Sequence, residues 1–247
     1  MNGWLGIPSS AAAENMAQAG WDSLTVDLQH GLVDYQTAVG MLQAISTTDA
    51  TPLVRVPWNE PGIIGKMLDA GAYGVICPMV NSRAEAEALV RACRYPPDGE
   101  RSFGPVRAAW YGGADYAVKA NETVLVLPMI ETRAAVENLD EILSVPGVDG
   151  VYVGPADLGL SHGYPAKGDR DEEELLAIIR RIAERAATHG KSAGIHCGVP
   201  AYARRMIEDG YRLVTIQADN QLLNAAARRA VELTRHGVSE GSGGGLY

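Results

Sequence analysis

Short apolar runs alternate with helical segments eight times along this sequence, and few folds accommodate that order. The strand candidates are residues 2–7, 24–28, 52–56, 74–79, 123–130, 150–153, 192–196 and 213–217. Each is followed by a candidate helix, and the clearest helical periodicity covers residues 171–189. Such alternation produces parallel strands with helical crossovers, either in a (β/α)8 barrel or in a long doubly wound sheet.

Polar residues near the C-terminal ends of these strands favour the barrel, because barrel active sites are built at that end. These residues are Asp27, His30, Arg55, Glu131, Asp157, His196 and Gln217. We therefore predict an α/β fold of the (β/α)8, or TIM-barrel, class. Residues 95–122 show no clear pattern and are predicted to form one long irregular loop.

Length and composition fit a single barrel domain over residues 1–236, followed by a flexible Gly/Ser-rich tail over residues 237–247. The net charge is −9 and the basic residues are scattered, which argues against a nucleic-acid partner. Three widely spaced cysteines argue for a reducing compartment rather than a disulfide framework. There is no leader-like start and no apolar run long enough to span a membrane, so we expect a cytoplasmic protein.

Two carboxylates are expected to leave neighbouring strands on the same face. Glu131 closes one apolar run, and Asp157 follows the next run after Gly154-Pro155-Ala156. With no cysteine or histidine cluster nearby in sequence, the pair suits a hard divalent cation better than zinc. The bare backbone around Gly154 leaves N–H groups open to a ligand carboxylate. The alternative is that either acid caps a helix or pairs with an arginine.

A histidine and an arginine at two other strand ends suggest acid–base chemistry on an anionic intermediate. His30 lies three residues after Asp27, a pattern that fits a general base oriented by a carboxylate or, alternatively, a structural histidine. Arg55 offers a bidentate anchor for a carboxylate or an oxyanion. Its structural alternative is a salt bridge to Glu131 or Asp157.

Covalent catalysis is less well supported. The pair His196-Cys197 suggests a thiol nucleophile, but Cys197 has no second base or orienting partner visible in the sequence. The four lysines all lie outside the strand ends, where an imine-forming amine would be needed. Carbon–carbon chemistry at these strand ends would therefore use a metal as its electron sink.

Six stretches of this sequence resemble the HpcH/HpaI aldolase family. They are VDLQHG (26–31), PLVRV (52–56), MLDAGAYGVICPMVNSRAEAE (67–87), RYPPDGERSFGP (94–105), PMIET (128–132) and VDGVYVGPADLGLSHG (148–163). The resemblance implies a barrel of the phosphoenolpyruvate/pyruvate type, commonly hexameric with a helix exchanged between subunits. It also implies Mg²⁺, Mn²⁺ or Co²⁺ as cofactor and reversible aldol reactions of pyruvate or a related 2-oxoacid, such as hydroxypyruvate, with an aldehyde through a metal-stabilised enolate.

The same resemblance assigns roles to individual residues. Glu131 and Asp157 correspond to the metal ligands, and Arg55 corresponds to the arginine that stabilises the enolate. His30 with Asp27 corresponds to the base dyad. Gly154, Pro155 and Ala156 correspond to residues that contact the substrate. Two positions depart from the best-known members, which have Glu in place of Gln29 and Gln in place of Met129, so both are expected to affect water and second-substrate binding.

The family also suggests a contribution from a neighbouring subunit. Phe103, in the long loop, is expected to reach the neighbour's site and to shape the aldehyde pocket there together with His196. Two other functions remain open for this scaffold: a lyase or decarboxylase of oxaloacetate-like acids, and a non-catalytic 2-oxoacid-binding protein.

Overall fold

Eight parallel strands close into a barrel in a computed structural model that describes residues 1–236. The strands follow one another around the barrel in chain order, and the last pairs with the first. They are β1 Asn2–Leu5, β2 Ser23–Asp27, β3 Thr51–Arg55, β4 Gly74–Cys77, β5 Leu125–Ile130, β6 Gly150–Val153, β7 Ser192–Cys197 and β8 Leu213–Ala218. The prediction of a (β/α)8 barrel is therefore confirmed. The predicted tail over residues 237–247 lies outside the described residues.

Helices surround the strands and connect them. They are α1 Ser10–Ala17, α2 Tyr35–Ile45, α3 Pro61–Asp69, α4 Arg83–Cys93, α5 Ala108–Gly112, α6 Tyr116–Thr123, α7 Arg133–Glu137, α8 Leu139–Leu143, α9 Pro155–Ser161, α10 Glu173–Thr188, α11 Pro200–Glu208 and α12 Asp219–His236. Several begin at a side-chain cap, as at Asp34, whose carboxylate accepts the N–H of Thr37 at 2.8 Å. Within the described chain, none of these helices is long and apolar enough to cross a membrane.

The barrel interior is partly polar and partly aromatic. An apolar cluster joins side chains of four strands, and its members are Trp4, Ile76, Leu127, Met129 and Tyr152. A polar network lies beside it: the Asn2 amide donates to Thr215 Oγ1 at 2.8 Å, and the Tyr152 hydroxyl donates to the same oxygen at 2.6 Å. Because buried polar groups are costly unless they are paired, this network fixes the ring of Tyr152 inside the barrel.

The long connection before β5 differs from its prediction. It contains two short helices, α5 and α6, and α6 continues to Thr123, so that β5 begins at Leu125 and not at residue 123. Neither helix presents a long apolar stripe, which is why periodicity did not reveal them. Arg101 and Arg107 instead hold the segment against the barrel, through the Asp69 carboxylate and the Ala70 carbonyl respectively.

Candidate active site

A cavity of about 180 Å³ lies at the C-terminal ends of the strands. It is lined by Trp4, His30, Arg55, Met129, Glu131, Tyr152, Gly154, Pro155, Ala156, Asp157, Gly168 and His196. A neighbouring cavity of about 400 Å³ shares part of this wall and is bounded by the loops after β1 and β2 and by the start of α12. Most of the residues predicted to carry function are thus brought to one place by the barrel.

Arg55 is held by Asp27. The carboxylate accepts the Nε–H of Arg55 at 2.9 Å and an Nη2–H at 2.6 Å, a bidentate pair between side chains that are 12% and 5% exposed. Burial raises the pKa of Asp27, but the hydrogen bonds and charge of Arg55 outweigh it and hold that pKa below its usual value. The predicted alternative, a salt bridge from Arg55 to Glu131 or Asp157, is not the pairing in this structure.

The expected side-chain contact between Asp27 and His30 is also absent. Asp27 Oδ1 accepts the backbone N–H of His30 at 3.3 Å and that of Gln29 at 3.0 Å, and in the described chain no hydrogen bond joins the carboxylate to the imidazole. Arg55, Trp4 and these two amides already occupy the carboxylate, which explains the difference. His30 is exposed and lines the cavity without Asp27 orienting its ring.

Trp4 contacts several residues of the cavity wall, and it was not among the predicted site residues. Its indole N–H donates to Asp27 Oδ2 at 3.1 Å, and the Arg55 guanidinium lies 4.8 Å from the ring centroid. Tyr152 stacks on it with centroids 5.7 Å apart, and His196 meets it edge-on at 5.2 Å. In the sequence, an aromatic residue inside an apolar strand indicates core packing. The one sign that Trp4 belongs to the site was its position near the end of β1.

Glu131 is a buried part of the cavity wall. Its side chain is buried, and its Oε1 accepts the backbone N–H of Met79 at 2.8 Å. Gly154 gives it room, because a β-carbon there would lie 2.4 Å from Glu131 Oε2. Burial and the charge of Asp157 raise the pKa of Glu131 to about 7, although the Met79 amide opposes the shift.

The two acids fit a divalent cation. Asp157 lies in the first turn of α9, is exposed and is close enough to raise the pKa of Glu131. The charge of Asp157 disfavours the charged form of Glu131, and a dication bound between the two carboxylates would offset that repulsion. Among the described residues no group of three His, Cys, Asp or Glu side chains converges, so protein oxygens would fill only part of a coordination shell. Such an open site suits Mg²⁺, Mn²⁺ or Co²⁺, with substrate or water as further ligands.

His196 is a neutral aromatic wall of the cavity. Burial, together with the nearby charge of Arg55, lowers its pKa to about 4. Its role in this structure is to pack against Trp4 within its own barrel.

We expect His196 to make the protein less stable in mild acid. Between the ordinary pKa of 6.5 and the folded value of about 4, the unfolded chain binds a proton that the folded chain does not. Titration of His196 therefore leaves the free energy of unfolding unchanged above about pH 6.5. As pH falls toward 4, it lowers that free energy by about 3 kcal/mol at most. Urea unfolding across this range should show a shallower decline for His196→Leu than for the wild type. His236→Gln, at the exposed end of α12, is the control; an unchanged decline in His196→Leu would show that His196 does not titrate this way.

Two predicted residues lie apart from this cavity. Gln29 is half-buried, and in the described chain its Oε1 has no hydrogen-bond partner. Phe103 is 71% exposed in the connection before α5 and touches Tyr95, with ring centroids 5.9 Å apart. Within a single chain Phe103 is therefore not part of the site.

Comparison with known proteins gives a consistent result. A model of the HpcH/HpaI aldolase/citrate lyase family matches residues 3–226. A hydroxypyruvate/pyruvate aldolase of Rhizorhabdus wittichii is 46% identical over 229 residues, which cover 93% of this chain and 91% of the relative. A 4-hydroxy-2-oxo-heptane-1,7-dioate aldolase of Escherichia coli is 41% identical over 227 residues, covering 91% and 86% of the two chains. The crystal structure of an HpcH/HpaI aldolase/citrate lyase family protein from Burkholderia cenocepacia aligns with a TM-score of 0.89 and 36% identity, covering 95% and 93%.

Proposed function

Because this chain belongs to the HpcH/HpaI aldolase/citrate lyase family, we propose that it catalyses the reversible aldol reaction of pyruvate, or of a related 2-oxoacid such as hydroxypyruvate, with an aldehyde. We further propose that it is a class II enzyme, dependent on a divalent metal ion. The observation that carries this proposal is that Glu131, Asp157 and Arg55 line one small cavity at the C-terminal face of the barrel.

Glu131 and Asp157 would hold the metal ion. A bound Mg²⁺, Mn²⁺ or Co²⁺ would act as a Lewis acid on the 2-oxoacid and make its methyl protons more acidic. Glu131 is suited to this role because its carboxylate is fixed by the Met79 amide and screened from water. Gly154 and Ala156, with Pro155 between them, would provide the backbone surface against which the 2-oxoacid carboxylate lies.

Arg55 would bind the oxygen on which negative charge develops. A guanidinium has five N–H groups, and Asp27 takes two of them, which leaves donors available to a substrate. Asp27 and the Trp4 ring fix the orientation of the group before substrate arrives, so little reorganisation is needed during the reaction. Asp27 would thus serve the reaction through Arg55.

His30 would move the proton. In the cleavage direction it would accept the proton of the 4-hydroxyl, directly or through a water molecule, and it would return that proton in the addition direction. Its exposed position at the rim of the cavity supports exchange of that proton with solvent. Met129 and His196 would bound the pocket with apolar or neutral surface.

A substrate panel tests this function. The purified protein is incubated with pyruvate or hydroxypyruvate and a series of aldehydes, with Mn²⁺ or with excess EDTA. We expect aldol products with Mn²⁺ and none with EDTA. Release of carbon dioxide from oxaloacetate, without aldol products from any pair, would favour the decarboxylase. Binding of the 2-oxoacid without any turnover would favour the non-catalytic protein.

We also propose that the protein is a homo-oligomer, a hexamer by analogy with its family. α12 runs for 18 residues, yet among them only Asp219 is buried, which supports contacts with a second copy. The net charge of −9 and the three buried free cysteines support small-molecule substrates and a reducing compartment such as the cytoplasm.

Phe103 provides a test of a contribution across subunits. If its exposed ring lines a neighbouring subunit's aldehyde pocket, Phe103→Val should change the relative kcat/KM values of different aldehydes by about 10- to 200-fold, with little effect on enolisation of pyruvate. Kinetics on the aldehyde panel and the molar mass by light scattering check this expectation. Val118→Ala, at an apolar position on α6 that is 80% exposed, is the matched control. An unchanged aldehyde ranking in an intact oligomer would remove Phe103 from the pocket.

A further inference from the structure

A fully buried arginine lies in the loop between α9 and α10. The Arg170 side chain is 0% exposed, and its Nε–H and an Nη2–H donate to the two carboxylate oxygens of Glu172 at 3.0 and 2.8 Å. Its Nη1 group donates to the carbonyls of Pro165 and Lys167, each at 3.0 Å. One guanidinium thus holds both the middle and the end of the loop, residues 162–172.

The same guanidinium ties the loop to α9, the helix that carries Asp157. It lies against Gly159, where a β-carbon would come within 2.6–2.8 Å of its atoms. The loop is also joined to this helix by the N–H of Tyr164, which donates to the Gly159 carbonyl at 2.9 Å. Gly159 therefore leaves the space that Arg170 fills, two residues beyond Asp157.

The far end of the loop is tied to the residue that follows β7. Asp169 Oδ1 accepts the backbone N–H of Gly198 at 2.6 Å, two residues after His196. Between these two attachments, Gly168 forms part of the cavity wall. The loop therefore connects the side of the cavity that contains Asp157 with the side that contains His196.

We propose that Arg170 is a positioning residue that holds this loop along the cavity edge and thereby determines which aldehydes are accepted. The inference rests on the proposed aldolase function. Arg170 itself does not line the cavity, and the loop reaches it only through the backbone of Gly168. The groups assigned to the 2-oxoacid are Glu131, Asp157 and Arg55, and the loop makes no hydrogen bond to them among the described residues. Loosening the loop should therefore alter the shape available to the second substrate and leave enolisation of the first intact.

Two variants remove parts of this clamp. Arg170→Gln loses the ion pair and most of the hydrogen bonds, whereas Glu172→Gln keeps the arginine and its two carbonyl contacts. Arg180→Gln is the control, because Arg180 lies on α10 and is 37% exposed, and its ion pairs among residues 1–236 are with Glu173 and Asp209, neither of which belongs to the loop.

The position of the loop is measured by a lysine-specific protease. Cleavage after Lys167, identified by fragment mass, should be about tenfold or more faster in Arg170→Gln than in the wild type, with a smaller increase in Glu172→Gln and none in Arg180→Gln. In parallel, kcat/KM for bulky aldehydes should fall by about 10- to 100-fold in Arg170→Gln, while metal-dependent exchange of pyruvate methyl protons changes less than about twofold.

Three outcomes are decisive. Wild-type cleavage rates in a folded Arg170→Gln protein would overturn the clamp, and faster cleavage with unchanged aldehyde kinetics would overturn its role in selectivity. If Arg170→Gln does not fold, the cleavage rate and the aldehyde kinetics of Glu172→Gln decide instead, because this variant keeps the arginine and its two carbonyl contacts. A wild-type protein without aldol activity would contradict the proposed function instead, and the protease result would still report on the loop.

Discussion

The Arg55→Lys variant is expected to lose about 10²- to 10³-fold in kcat for the aldol reaction, the usual effect of removing one preorganised donor to a developing oxyanion. A lysine ammonium is a single point of charge. It cannot pair with both oxygens of Asp27 and also present N–H groups in a fixed plane to the substrate. Steady-state kinetics with pyruvate and one good aldehyde acceptor, at saturating Mn²⁺, measures the loss.

Arg94→Lys is the matched control for this loss. Arg94 is also largely buried, with a side chain 4% exposed against 12% for Arg55, and it pairs with Asp149 at 2.8 Å. It donates to the carbonyl of Val124 as well, before β5, and so lies at the opposite end of the strands. Its replacement should lower stability and leave the turnover of the folded enzyme unchanged. Turnover close to wild type in Arg55→Lys would mean that Arg55 does not bind the reacting oxygen.

The Asp157→Asn variant is expected to bind Mn²⁺ at least about 100-fold more weakly and to lose most of its activity at micromolar metal. A neutral amide is a poor ligand for a hard dication, and loss of a direct ligand should exceed the 10- to 100-fold effect typical of outer-shell changes. Calorimetric titration of metal-free protein with Mn²⁺ gives the affinity without reference to turnover.

The titration also reports on Glu131. Removing the charge of Asp157 takes away one of the two causes that raise the pKa of Glu131, so less proton release should accompany the remaining metal binding near neutral pH. Asp171→Asn, a surface carboxylate paired with Lys167, is the control. Wild-type Mn²⁺ affinity in Asp157→Asn would show that the metal is held elsewhere.

The barrel and the gathering of strand-end residues around one cavity could be predicted because they depend on local signals. A buried parallel strand is a continuous apolar run, so an acid or arginine at its end is conspicuous. Glu131 and Asp157 follow β5 and β6, which are consecutive in the chain and adjacent in the barrel. Adjacency in sequence then implied adjacency in space.

Pairing between distant residues could not be predicted in the same way. The sequence offered Arg55 a ligand anion or a salt bridge to Glu131 or Asp157. Its partner in the structure is Asp27, because the register of β2 beside β3 places Asp27 opposite Arg55. Trp4 and Arg170 were missed for a related reason. An aromatic residue in a strand and an arginine before an acidic helix start both have ordinary interpretations, and their roles appear only when Asp27, Gly159 and Glu172 are placed around them.

Exchange of pyruvate methyl protons with deuterated water tests the central claim most directly. It needs the 2-oxoacid, the metal site, Arg55 and a base that accepts the methyl proton, either His30 or a water molecule, but no knowledge of the aldehyde. Proton NMR of pyruvate with the metal-loaded enzyme should show loss of the methyl signal, and excess EDTA or the Asp157→Asn substitution should abolish it. Exchange that continues at the same rate in the metal-free enzyme, or no exchange in the metal-loaded enzyme, would contradict a metal-dependent enolisation at Glu131 and Asp157.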